Sequence, residues 1–119
     1  MERMTIYHNP GCSKSRRALE ILRERDVACD VIEYLKTPPD RATLERLLAL
    51  LAGPPADLVR KDKRVKELGL RGADYVTREQ VVGLLLEHPE LMERPVVVHG
   101  KRAVIARPSE RVEELLGSQ

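Results

Sequence analysis

A chain of 119 residues, 42% hydrophobic and 34% charged, is long enough for one core and too rich in apolar residues for a disordered chain. A net charge of +2, with three tyrosines as its only aromatic residues, offers neither the field nor the stacking platforms that nucleic acid requires, and no apolar run nears the length of a membrane span. Two cysteines, Cys12 and Cys29, are too few for a disulfide framework, and MERMTIYHN lacks the apolar segment of a signal peptide, so the expected compartment is the cytoplasm.

Residues 4–8, MTIYH, read as a strand of β-branched and aromatic type. Asn9-Pro10-Gly11 turns the chain into a helix over 13–25, with Ala18, Leu19 and Leu22 on one face and Ser13 or Ser15 near its cap. ACDVIEYL (28–35) reads as a second strand, so the start of the chain suggests a parallel βαβ unit. KTPPD then breaks the chain. Leu44, Leu47, Leu48 and Leu51 recur at helical spacing behind Asp40, a natural N-cap, and Gly53-Pro54-Pro55 ends that helix. A short helix at 56–61 leads to KDKRVKELGL, whose pattern supports no single assignment. Thr77 to Gln80 forms a capping-box pattern, followed by Val81, Leu84, Leu85 and His88 on one face and closed by Pro89. RPVVVHGKRAVIARP (94–108) reads as a hairpin of strands 96–98 and 102–105 around His99-Gly100. Ser109 is placed to cap a last helix carrying Val112, Leu115 and Leu116. The order βαβ, helical segment, ββα points to a mixed sheet with helices packed on it.

The stretch GCSKSRR (11–17) poses a chemical question. A helix start carries partial positive charge, so Lys14, Arg16 and Arg17 sit at its unfavourable end. Cys12 stands just past the C-terminal end of a strand, at the edge of a parallel pair where ligands bind. Free N–H groups there favour an anion, and a thiolate is one. The basic residues add positive charge, and His8 could donate a hydrogen bond to the sulfur, all of which lower a thiol pKa. An inert cysteine before a surface-charged helix is the alternative. Cys29, near the start of the second strand, is expected about 15–20 Å from Cys12, too far for a disulfide, and reads as a core residue. The cysteines and His8, His88 and His99 show no paired ligand spacing, so no metal is expected; His88 reads as a helix-end residue and His99 as a turn residue.

TIYHNPGCSKSR, LVRK (58–61), LLLEHPELMERPVVV (84–98) and ARPSERVEELL (106–116), in that order, resemble the glutaredoxin-dependent arsenate reductases of the ArsC type over nearly the whole chain. The resemblance implies an α/β, thioredoxin/glutaredoxin-like fold: one domain over 1–119, with a helical insertion at about 38–92 between the second and third strands. It places the nucleophile on Cys12, oxyanion-binding arginines on Arg60, Arg94 and Arg107, and thiolate stabilisation on His8 and Ser15. It implies a cis bond at Arg94-Pro95. It implies no bound cofactor, arsenate or a similar oxyanion as substrate, glutathione as co-substrate and glutaredoxin as partner. Two departures stand out. Ser-Lys-Ser follows the cysteine where the commonest reductase form has Gly-Thr-Ser, and KDKRVKELGL lacks an acidic-Pro-aromatic triplet. Two other readings are compatible with this fold. One is a glutathione-dependent thiol oxidoreductase with little arsenate activity. The other is an RNA-polymerase-binding regulator like the Spx proteins, which carry Cys-x-x-Cys where this chain has Ser15.

Overall fold

In a computed structural model that describes residues 3–116, the chain opens with β1 (Met4–His8), α1 (Ser13–Glu24) and β2 (Cys29–Glu33). The N–H groups of Lys36 and Thr37 both donate to Glu33 O at 2.9 Å, so β2 ends two residues earlier than its sequence suggests. Next come α2 (Arg41–Leu50), a 3₁₀ turn at Pro55–Leu58, α3 (Lys63–Glu67), a 3₁₀ turn at Gly72–Tyr75, α4 (Arg78–Glu87) and a 3₁₀ turn at Pro89–Leu91. The hairpin β3 (Val96–His99) and β4 (Arg102–Ile105) follows, then a 3₁₀ turn at Ser109–Val112 and α5 (Glu113–Leu116).

The chain forms two compact units: residues up to Thr37 together with those from Arg94 onward, and Pro38–Glu93. In the first unit the four strands lie in the order β2-β1-β3-β4. β1 runs parallel to β2 with Met4 opposite Cys29 and His8 opposite Glu33, and antiparallel to β3 with Ile6 opposite Val97. β3 and β4 pair antiparallel, Val96 opposite Ile105. Gly100 turns this hairpin at φ +62°, where a side chain would be strained. α1 buries Ala18, Leu19, Ile21 and Leu22 against Met4, Ile6, Val97 and Val104, and Ala106, Val112 and Leu115 complete that core. Full burial of a side chain such as Leu22 or Ile6 contributes about 1.5–3 kcal/mol, against a few tenths for each basic residue at the helix start. Packing therefore decides that α1 forms, and its first turn is left open to chemical demands. α1 closes on Asp26, at φ +55°, with Val27 N–H donating to Leu22 O at 3.0 Å and Asp26 N–H to Arg23 O at 3.1 Å.

In the second unit, Leu44, Leu47 and Leu48 of α2 and Val81, Val82 and Leu85 of α4 are buried, together with Leu58, Val59, Leu91 and Met92. Asp40 caps α2 by accepting the Thr43 N–H at 2.8 Å, and Thr77 and Gln80 form the expected capping box of α4. The ambiguous stretch resolves into α3. Asp62 caps it through the Arg64 N–H at 3.0 Å, and Leu70 N–H donates to Val65 O at 3.1 Å beyond Gly69, which takes φ +70°. The helix expected at 56–61 is the 3₁₀ turn Pro55–Leu58; beyond it Val59 bridges antiparallel to Met92. Among the described residues, no helix is long and apolar enough to cross a membrane.

Candidate active site

β1 ends at His8 and the chain turns at once. Asn9 Oδ1 accepts the Gly11 N–H at 2.8 Å, and Asn9 O accepts the Cys12 N–H at 3.0 Å. Cys12 is left extended, at φ −103° and ψ 122°, as the N-cap residue of α1. This corrects the expectation of a serine cap. Ser13 is already helical, and the buried Ser15 hydroxyl faces inward, accepting the Asn9 N–H at 3.0 Å and bonding His8 Nδ1 at 2.7 Å. A sulfur therefore stands where a capping oxygen usually stands. It makes no conventional capping bond, but the N–H groups of Ser15 and Lys14 face it.

The hairpin brings two arginines to the same sulfur. Pro95 O accepts the Ala106 N–H at 2.9 Å, which extends the β3–β4 pairing by one step and sets Arg94 and Arg107 side by side. Arg107 Nη1 donates to Arg94 O at 3.0 Å and lies 3.8 Å from Cys12 Sγ. Both arginines are half-buried. The Arg94-Pro95 bond is cis; so is Arg107-Pro108, which nothing in the sequence signals. Burial pushes the Cys12 thiol up, but the Ser15 N–H, Arg94, Arg107 and the Lys14 N–H pull it down and prevail, so it ionises below its ordinary value.

The basic first turn works differently from the sequence expectation. Arg16 Nη1 donates to Pro10 O at 2.8 Å and so clips the turn, while Lys14 is exposed. Arg17 pairs with Glu20, with Glu24 at 3.6 Å and with Glu110 at 4.0 Å. The side chains that lower the thiol pKa come from the hairpin, not from α1. His8 also differs: its hydrogen bond goes to Ser15 and not to the sulfur. Burial holds the ring below the usual histidine range; Glu33 opposes this and Arg23 and Arg16 reinforce it, so the neutral ring is favoured. Its hydroxyl partner Ser15 is the residue whose backbone N–H faces the sulfur.

Arg60 belongs to the second unit, where its Nε donates to Asp62 Oδ2 at 2.6 Å and its backbone N–H donates to Leu91 O at 2.6 Å. Cys29 lies opposite Met4, at the far end of β1 from Cys12, and packs against the core. Burial raises its thiol, reinforced by Asp30. His88 closes α4 and His99 ends β3. Among the described residues, no group of three or more His, Cys, Asp and Glu side chains gathers as a metal would need.

The opposed shifts of the two thiols give a direct test. At pH 7, iodoacetamide should modify Cys12 at least ~10-fold faster than Cys29, since each pKa unit is a tenfold change in thiolate below the pKa. Peptide mass spectrometry over time reads both rates, and equal rates in the folded protein would contradict an activated Cys12.

A four-stranded mixed sheet with a thiol at the start of its first helix, facing arginines from the hairpin, defines a thioredoxin-like thiol protein. The chain belongs to the ArsC family, whose profile matches residues 7–115. It is 43% identical over 118 residues to the Escherichia coli K12 protein YfgD, described as uncharacterized, across 98% of each chain. It is 40% identical over 118 residues to an arsenate reductase of Neisseria meningitidis serogroup A, across 98% of this chain and 100% of that one. Among solved structures, an arsenate reductase from Vibrio cholerae matches with a TM-score of 0.86 and 39% identity, across 95% of this chain and 97% of that one.

Proposed function

We propose that this protein is an arsenate reductase in which the Cys12 thiolate attacks arsenate held by Arg94 and Arg107. The observation that carries the reading is the Cys12 sulfur at a helix start, 3.8 Å from the Arg107 guanidinium and lowered in pKa by Arg94 as well. Arsenate is an anion at neutral pH, so a thiolate approaching it is repelled. Guanidinium forks relieve that repulsion by bidentate hydrogen bonding and stabilise the charge that builds on the oxygens.

In the reaction, Cys12 sulfur forms a bond to arsenic and one arsenate oxygen leaves as water. Glutathione supplies the second thiol. Arsenic gains two electrons and departs as arsenite, while the two sulfurs lose them and join as a mixed disulfide on Cys12. A glutaredoxin thiol then takes the glutathione from Cys12 and returns it to the reduced state. In sum, arsenate and two thiols give arsenite, one disulfide and water. Cys29 sits at the other end of β1, so an external thiol is the natural donor. A cytoplasmic setting, where glutathione keeps thiols reduced, fits the same chemistry.

Arsenate should slow alkylation of Cys12 and leave Cys29 unchanged, with sulfate at matched ionic strength as the comparison. Cys12 reacting equally fast with and without arsenate would overturn the assignment of the oxyanion site.

A further inference from the structure

We propose that Ser109 is a positioning residue for the Cys12 nucleophile. Its hydroxyl ties the first turn of α1, which faces the sulfur, to the loop that carries Arg107. The inference deepens the proposed reaction and rests on it, but it is read from the titration of Cys12, which needs no turnover.

Ser109 is 3% exposed, and its Oγ donates to Lys14 O at 2.7 Å, across 95 positions of sequence. Its sequence position suggests a cap for the last helix, yet Pro108 is the N-cap residue there and Ser109 makes its bond elsewhere. Lys14 lies inside α1, where a helical carbonyl already accepts from the residue four positions on. Ser109 occupies the second lone pair of that oxygen, so the bond adds nothing to the helix ladder. Its effect is to join two segments. On one side are the Lys14 and Ser15 N–H groups, which face Cys12 Sγ. On the other, two residues before Ser109, is Arg107, with Nη1 3.8 Å from the same sulfur and 3.0 Å from Arg94 O. Ala106 and Val112 on either side are fully buried, so the loop has little room to drift and the hydroxyl sets its register against α1. The donors that act on Cys12 thus come from two elements, and Ser109 holds the spacing between them.

The test is the pH dependence of Cys12 alkylation in Ser109→Ala and Ser109→Thr, with Cys29 as an internal reference. The other groups around the sulfur, Arg94 from the start of β3, Arg107 beyond β4, and His8 behind Ser15, are kept in both. Ser109→Ala should raise the Cys12 midpoint by roughly half to one pH unit, the worth of one hydrogen bond, with Cys29 reactivity unchanged. Ser109→Thr, which keeps a hydroxyl, should restore the midpoint. If Ser109→Ala does not fold, Ser109→Gly takes its place with the same expectation. An unchanged midpoint, or a parallel rise in reactivity at Cys12 and Cys29, would overturn the proposal; the second result would mean that Ser109 only stabilises the fold. Arsenate protection of Cys12 in the unaltered protein stands or falls separately, so failure of the reductase reading and failure of the Ser109 role remain distinct.

Discussion

Cys12→Ser should abolish arsenate-dependent turnover and leave the protein at least as stable as before. The reaction needs a sulfur that can bond arsenic and then surrender that bond to a second thiol. A serine hydroxyl remains protonated at pH 7 and forms no disulfide. Cys29 cannot substitute, because it lies opposite Met4 at the other end of the sheet and burial suppresses its ionisation. Stability should not suffer, because Cys12 is half-buried, extended, and already in the N-cap position of α1. Serine is a good N-cap residue, and replacing a poor cap contributes up to ~1 kcal/mol. A melting curve and a turnover assay on the same sample separate the two effects. Residual arsenate-dependent turnover in the variant would show that the nucleophile is elsewhere.

Arg107→Ala should lower kcat/KM for arsenate by about 10²–10³-fold, the usual loss when a donor to a developing oxyanion is removed. It should also raise the pH midpoint of Cys12 alkylation. Arg107 touches the thiol and holds Arg94 O at 3.0 Å, so its loss removes one guanidinium and loosens the other. Arg107→Lys should recover part of the activity, since an ammonium supplies charge without the fork. Arg107 is only half-buried and lies beyond the end of β4, so the fold should survive. Unchanged kcat/KM in Arg107→Ala would place the oxyanion away from the hairpin.

How far this site was legible depends on what kind of contact each residue makes. The strands, α1, α2 and α4 announce themselves because apolar spacing and caps such as Asp40 and Thr77 are local signals. Cys12 at the end of a strand is legible for the same reason. The approach of Arg94 and Arg107 to it is not a local matter, for it depends on the register of β3 against β4, and only the family motif pointed to them. Composition misled on the first turn of α1. Arg16 and Arg17 look like the source of positive charge, yet one clips the Pro10 carbonyl and the other pairs with acids. Ser109 reads as a cap because serine before a helix usually is one; its bond to Lys14 joins residues 95 apart, and no local pattern reports that. α3 was hidden because five residues carry too little periodicity, although Asp62 and Gly69 mark its two ends.

The measurement closest to the central claim is arsenate-dependent NADPH oxidation by the unaltered protein, coupled through glutathione, glutathione reductase and glutaredoxin. The reductase assignment predicts turnover that requires arsenate, glutathione and Cys12, each omission returning the rate to background. No arsenate-dependent oxidation, in protein whose Cys12 still alkylates faster than Cys29, would contradict it: the activated thiol would stand and arsenate would not be its substrate.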